Sequence, residues 1–243
     1  MRVEQQPAFV LHARAWRETS LLLDVLSRDH GRIGLVARGV RGTRVRTPRS
    51  LLQPFAPLSV SWSGRGELAT MHAAEAAGAA LPLAGEVLLC ALYLNELVVR
   101  LAPRSDPHPD MFATYLKTLA RLAHGDAPAW TLRRFERDLL SQLGYGLQLD
   151  VEADTGESIE AAVEYAYFLE HGPVRWRGAG DGLKLRGAAL LALARDEEPD
   201  VSDLPSLRRL LRALIAQRLD GGALNAWNLM VGTRSAGANL AEL

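Results

Sequence analysis

Arginine recurs every two or three residues through Arg38-Gly39-Val40-Arg41-Gly42-Thr43-Arg44-Val45-Arg46-Thr47-Pro48-Arg49, and no acidic residue interrupts the run. Crowded guanidinium groups repel one another unless a polyanion or solvent screens them, and glycine and proline keep the segment out of a regular helix. The chemistry on offer is therefore non-covalent. It is either attraction to a nucleic-acid backbone or a solvated face that keeps the chain soluble. Covalent chemistry has no comparable concentration of residues. The polar pairs Asn95 with Glu96 and Glu136 with Asp138 do not converge on one substrate atom, and no serine, cysteine or histidine stands near enough to them to form a nucleophile elbow or a metal-binding helix. A carboxylate inside an apolar helix needs a partner, and for Glu96 the expected one is Arg100, four residues on.

Charge distribution supports the first alternative. Lysines plus arginines number 28 and aspartates plus glutamates 28, so the net charge is uninformative, but Met1–Ala80 is arginine-rich without a single lysine. Acids dominate from Asp150 to Asp203. Such asymmetry is a sign of a nucleic-acid-binding end. A metal-dependent nuclease would need a carboxylate cluster able to hold a divalent ion, and the acids crowd into segments remote from the basic loop, so no enzymatic activity is expected. The single Cys90 excludes an intramolecular disulfide and a cysteine-based zinc site, and the six histidines lack ligand spacing, so neither metal nor cofactor is expected. No apolar stretch approaches the roughly 20 residues of a membrane span, and the N-terminus lacks a signal-peptide core. The expected setting is soluble, reducing and cytoplasmic, with no membrane partner.

The elements that must carry the arginines are strands. Five runs favour strand: Ala8–Trp16, Ser20–Arg28, Arg32–Val40, Leu51–Ser63 and Glu67–Ala76. Asp29-His30-Gly31 and Ser63-Gly64-Arg65-Gly66 specify two antiparallel hairpins, while the arginine loop is longer than a hairpin needs and is expected to project. Five short strands fit an OB-fold, a partly open barrel whose face and loops commonly bind single strands. Of the aromatics, Phe55 and Trp62 suit the core, and Trp16, flanked by Arg14, Arg17 and Glu18 at a strand end, is the expected exposed one.

Helical spacing follows over Gly85–Leu101, then from Pro109 to a stop at Gly125, and over Trp130–Leu143 with Leu132, Phe135, Leu139 and Leu140 inward and Arg133, Arg134 and Arg137 outward. Residues 147–182 lose periodicity and read as an irregular insertion with a small β-hairpin subdomain. Helices return at Gly187–Arg195 and Leu204–Leu219, the last carrying Arg208, Arg209, Arg212 and Arg218 as a second basic surface. The fold class is mixed α and β, multidomain: an N-terminal five-stranded OB-fold barrel over 1–79 for DNA binding, then an α-helical domain over 80–243.

A longer pattern runs through Ala8-Phe9-Val10-Leu11-His12, Arg17-Glu18-Thr19-Ser20-Leu21-Leu22-Leu23-Asp24, Val36-Ala37-Arg38-Gly39-Val40-Arg41, Leu52-Gln53-Pro54-Phe55 and Gly64-Arg65-Gly66-Glu67-Leu68. It continues in Tyr93-Leu94-Asn95-Glu96-Leu97 and Leu132-Arg133-Arg134-Phe135-Glu136, running into Leu143-Gly144-Tyr145-Gly146. Over nearly its whole length the chain resembles the bacterial RecO recombination and repair family. The resemblance implies a non-enzymatic mediator that binds single- and double-stranded DNA, promotes strand annealing, contacts the C-terminal tail of single-stranded-DNA-binding protein and, with RecR, helps RecA load. By this resemblance Arg38, Arg41, Arg44, Arg46 and Arg49 are the leading DNA contacts, joined by Arg14 and Arg17. Arg133 and Arg134, with Leu132 or Phe135, become the partner-tail site. An alternative keeps the helical domain as an interaction scaffold and makes DNA contact secondary.

Two places depart from the pattern. Where some relatives carry a four-cysteine zinc module, this chain reads Leu149-Asp150-Val151-Glu152-Ala153-Asp154-Thr155-Gly156, so the module must stand without metal. A basic Lys-Ser-Arg common near the C-terminus is replaced by Ala223-Leu224-Asn225-Ala226-Trp227, and no DNA role is carried onto Asn225 or Trp227.

Overall fold

A computed structural model describes residues 1–40, 47–64, 66–178, 180–219 and 224–226. The chain divides into two compact units, Met1–His124 and Gly125–Leu243.

In the first unit β1 (Arg2–Trp16), β2 (Ser20–Ser27), β3 (Gly31–Ala37), β4 (Leu58–Ser63) and β5 (Leu68–Ala76) close a barrel in the order β1-β2-β3-β5-β4. This is the expected five-stranded OB architecture. β1 pairs antiparallel with both β2 and β4, and the parallel pair β3–β5 completes the closure. Alternation drives it: Ala8, Val10, Leu23, Val25, Leu35, Leu58 and Val60 point into one buried cluster. Each large member stabilises the fold by about 1.5–3 kcal/mol relative to leaving it exposed. The β2–β3 turn depends on Gly31, whose φ of 63° lies in the left-handed region and where a Cβ would collide with the Asp106 carbonyl oxygen.

Two strand boundaries differ most from the sequence reading, and β3 also ends three residues early, at Ala37 instead of Val40. β1 starts at Arg2 instead of Ala8, because Arg2 and Val3 pair with Ser63 and Trp62, a long-range partnership that the polar residues Arg2, Glu4, Gln5 and Gln6 conceal. Residues 51–57 are turns instead of the first half of β4: Pro54 and Pro57 fall there, and Phe55 takes a φ of 67°.

Helices α1 (Gly85–Leu101) and α2 (Pro109–His124) cover the outer face of β1. Phe9 packs on Phe112 and Tyr115 at ring separations of 5.6 and 5.3 Å. Buried Asn95 donates to the Leu11 carbonyl at 2.8 Å and accepts from the Tyr115 hydroxyl at 2.6 Å, a hydroxyl whose pKa burial pushes up. Asp24 accepts from Arg104 at 2.7 Å, and Ser105 N–H donates to the Arg32 carbonyl at 2.8 Å. β1 is therefore enclosed on both faces from Ala8 to Leu11 and bare beyond it.

The second unit contains α3 (Pro128–Gln142), β6 (Glu164–Phe168), β7 (Gly172–Arg175), β8 (Leu183–Arg186), α4 (Gly187–Arg195) and α5 (Leu204–Arg218). The expected hairpin is a three-stranded antiparallel sheet, β7-β6-β8, its third strand added by Leu183-Lys184-Leu185-Arg186. Leu132, Phe135, Leu190, Leu193, Leu207 and Leu211 fill the helical core. Among the described residues no helix is long and apolar enough to cross a membrane.

Candidate nucleic-acid interface

Past Leu11, every residue of β1 and of the following turn through Thr19 is exposed. Trp16 ends the strand opposite Ser20 and is 37% exposed, whereas Phe55 and Trp62 are buried. Arg17 opens the turn at a φ of 53°, a left-handed backbone that costs a non-glycine residue on the order of 1 kcal/mol and clusters at functional sites. Beside this hairpin β3 runs out through Val36 and Ala37 to Arg38, and β5 begins with Leu68, Ala69 and Thr70, Val36 lying opposite Thr70. An open cleft of about 710 Å³ lies between them, lined among others by Trp16, Arg17, Ser20, Arg38, Leu68 and Thr70. That is the size range of clefts that hold organic ligands.

The structure thus brings Arg17 and Arg38 together around Trp16. Arg14 and Arg49 are exposed but do not line the cleft, Arg49 sitting in a turn where its carbonyl accepts from the Gln53 side chain at 2.9 Å. Arg41, Arg44 and Arg46 lie outside the described residues. None of Arg14, Arg17, Arg38 and Arg49 has an ion pair with a described residue. Leu68 and Thr70 went unnoticed in the sequence because they reach the cleft only through the parallel β3–β5 pairing. The signal was faint: an apolar Leu68 directly after the Gly66-Glu67 turn.

On α3 the four partner-site candidates separate. Leu132 and Phe135 are core residues, and Arg133, expected outward, is 1% exposed. Its guanidinium forks onto Glu136 at 2.7 and 2.6 Å. The reason is geometric: Arg133 lies two turns from Leu140 on the inner stripe, and Glu136 at i+3 supplies the charge that lets it stay there. Arg134 keeps a partly exposed side chain, lies 5.7 Å from the Trp130 ring centroid and hydrogen-bonds Asp196. Arg137 joins Asp196 at 2.9 Å and the Leu193 carbonyl at 2.6 Å. Partial burial acts to raise the Asp196 carboxyl, but the hydrogen bonds and charges of Arg134 and Arg137 outweigh it and hold the pKa below the usual range. An open pocket of about 440 Å³ beside Arg134 is rimmed by Asp126, Asp196 and Glu198. On α5, Arg209 is exposed and Arg218 stacks 4.0 Å from the Tyr145 ring centroid.

The chain matches the family model described as Recombination protein O N terminal over residues 1–80 and that described as Recombination protein O C terminal over residues 83–227. The chain belongs to the RecO family of DNA repair proteins. It is 50% identical over 239 residues to the DNA repair protein RecO of Nitrosococcus oceani, covering 98% of this chain and 96% of that one. The RecO proteins of Stenotrophomonas maltophilia and Xanthomonas campestris are 47% and 45% identical, each match covering 95% of this chain and 97% of the relative.

Within this RecO family member, the stretch that stands where some relatives bind zinc does not fit the ion. Buried Glu152 accepts from Thr155 at 2.8 Å and from Arg175 at 3.1 Å, and Arg175 reaches Glu160 at 2.6 Å. Asp154 pairs with His171 at 2.7 Å. The hydrogen bonds that Arg175 donates to Glu160 and Glu152 raise its pKa. Carboxylates committed to arginine, with no thiolate among them, do not offer the ligand set of a structural zinc site. Among the described residues no group of three or more metal-ligating side chains comes together.

Proposed function

We propose that this RecO family member is a non-enzymatic, cytoplasmic recombination mediator that captures DNA electrostatically and aligns strands for annealing. One observation supports this above others: Arg17 and Arg38, free of ion pairs with described residues, flank exposed Trp16 at the barrel end where the segment Arg38–Arg49 begins. In this reading 1–79 is the DNA-binding domain, and Arg14, Arg17, Arg38, Arg41, Arg44, Arg46 and Arg49 neutralise phosphates and release counterions. Both single- and double-stranded DNA are bound, because a phosphate contact does not read sequence or strandedness. Neutralised backbones then repel less, and a second strand can pair.

The helical domain, 80–243, is proposed to receive the acidic, hydrophobic C-terminal tail of single-stranded-DNA-binding protein at α3 and to cooperate with RecR so that RecA loads onto coated strands. There Arg134 is the solvent-reaching cation, with Leu132, Arg133 and Phe135 forming the packed frame beneath it.

The Arg41→Ala/Arg44→Ala/Arg46→Ala variant tests the capture step. Five loop arginines on a single strand contribute a slope of about −3.5 in log K against log salt, and removing three is expected to flatten it by about 2. Unchanged affinity and unchanged slope would overturn the reading.

A further inference from the structure

Resting on that reading of the barrel end, we infer that the cleft between Trp16 and Leu68 is a seat for one unpaired nucleobase, making this end of the barrel prefer single strands over duplex. Charge alone does not predict such a preference, since a paired and an unpaired phosphate look alike to a guanidinium. The walls of the cleft do.

Trp16 and Leu68 are 37% and 44% exposed, and both line the same opening, so that their apolar surfaces face one cleft. An indole and a leucine side chain suit a flat aromatic face and offer nothing to a phosphate. Arg17 and Arg38 line the cleft beside them and supply the anion contact, Ser20 and Thr70 bring hydroxyls able both to donate and to accept, and Glu18, also in the lining, repels a phosphate at its own position but can accept from the N–H groups of a base. Apolar walls, cations and adaptable hydroxyls together match a nucleotide: base, phosphate and a varied hydrogen-bonding edge. Duplex DNA keeps its bases stacked inside and can engage only the arginines, so it leaves the apolar walls wet. Arg17 directly follows Trp16 in the chain, so the cation and the indole belong to neighbouring residues.

The experiment is fluorescence anisotropy at fixed salt with a labelled oligothymidylate, the same-length abasic strand and a same-length duplex, using full-length wild type, Trp16→Ala and Trp16→Phe. Trp16→Ala is expected to lose roughly tenfold in affinity for oligothymidylate and less than about twofold for duplex, with the salt slope unchanged, because it removes a stacking face and no charge. Trp16→Phe should retain most of the binding. Wild type on the abasic strand should bind no better than Trp16→Ala does on oligothymidylate, a comparison that does not depend on how the variant folds. Equal losses on duplex and single strand, or oligothymidylate and abasic affinities that coincide in wild type, would overturn the inference. So would displacement of an acidic, hydrophobic peptide by Trp16→Ala with oligothymidylate binding intact, since the cleft would then serve a protein. Each of these outcomes leaves the capture proposal standing as long as the triple arginine variant still flattens the salt slope.

Discussion

Arg17 and Arg38 stand beside Trp16 without an ion pair to any described residue, whereas Arg133, Arg134, Arg137, Arg175 and Arg186 of the second unit each grip one or two carboxylates. Arg186 binds Asp203 at 2.7 Å and Asp200 at 2.8 Å, and these contacts raise its pKa. A guanidinium whose acceptors are built in has little left to give a phosphate, and one without acceptors gains from any that arrives. The same residue type therefore stands open to an incoming acceptor at the barrel end and braces carboxylates in the second unit. Among the acids between Asp150 and Asp203, conspicuous in the sequence as a negative pole, Glu152, Glu160, Asp196, Asp200 and Asp203 are the other halves of these braces.

Stability separates the two classes most sharply. Glu136→Ala removes the carboxylate that the buried Arg133 guanidinium forks onto and is expected to cost about 3–5 kcal/mol in urea unfolding. Arg17→Ala or Arg38→Ala should stay within about 0.5 kcal/mol of wild type. Similar losses from both would erase the distinction. Binding reverses the ranking: the double variant Arg17→Ala/Arg38→Ala should flatten the single-strand salt slope by about 1.4, at ~0.7 per lost phosphate contact, while Arg175→Ala leaves it unchanged. A slope change in Arg175→Ala would show that a braced arginine also touches DNA.

The smallest effect concerns Asp196. Its partners hold its folded pKa below the unfolded value of about 3.9, so its stabilisation is complete above that pH and is lost as pH falls through the folded pKa. Solvent screening limits it to less than about 1 kcal/mol. Wild type should be slightly more stable than Asp196→Asn at neutral pH, and in paired urea titrations the difference should begin to shrink near about pH 4 and vanish only below the lowered folded pKa. The same variant loosens Arg134 and should tighten an acidic, hydrophobic peptide at α3. An unchanged peptide affinity would remove Arg134 from the tail site and weaken the mediator reading of that helix.

What the sequence revealed was what local pattern encodes. Alternating apolar residues marked all five barrel strands, Gly31 marked the hairpin it enables, and the spacing of Leu132, Phe135 and Leu139 marked α3. Long-range pairing left weaker traces. The first residues of β1 are polar and take strand form only because β4 is there to pair with them, and β8 is too short for alternation to register. Charge is ordinarily solvated, so sequence pattern alone places Arg133 outward. The pairing with Glu136 three residues on, along the stripe that holds Ala129 and Leu140, was the available clue to the contrary. At the candidate interface Trp16, Arg17 and Arg38 were legible from composition and turn position. Leu68 and Thr70 were not, since a cleft wall supplied by a parallel strand has no local signature.

The parallel ladder between Gly34–Ala37 and Leu68–Met71 closes the barrel whatever length of chain lies between β3 and β4. Loop-closure entropy grows only logarithmically, so doubling the connection from 38 to 57 would cost about 0.6 kcal/mol. Val40 and Leu52 belong to the buried barrel cluster and anchor the connection, so it is the stretch between them whose length can change at little entropic cost to the barrel, and its reach and charge are free to drift while the strands on either side stay fixed.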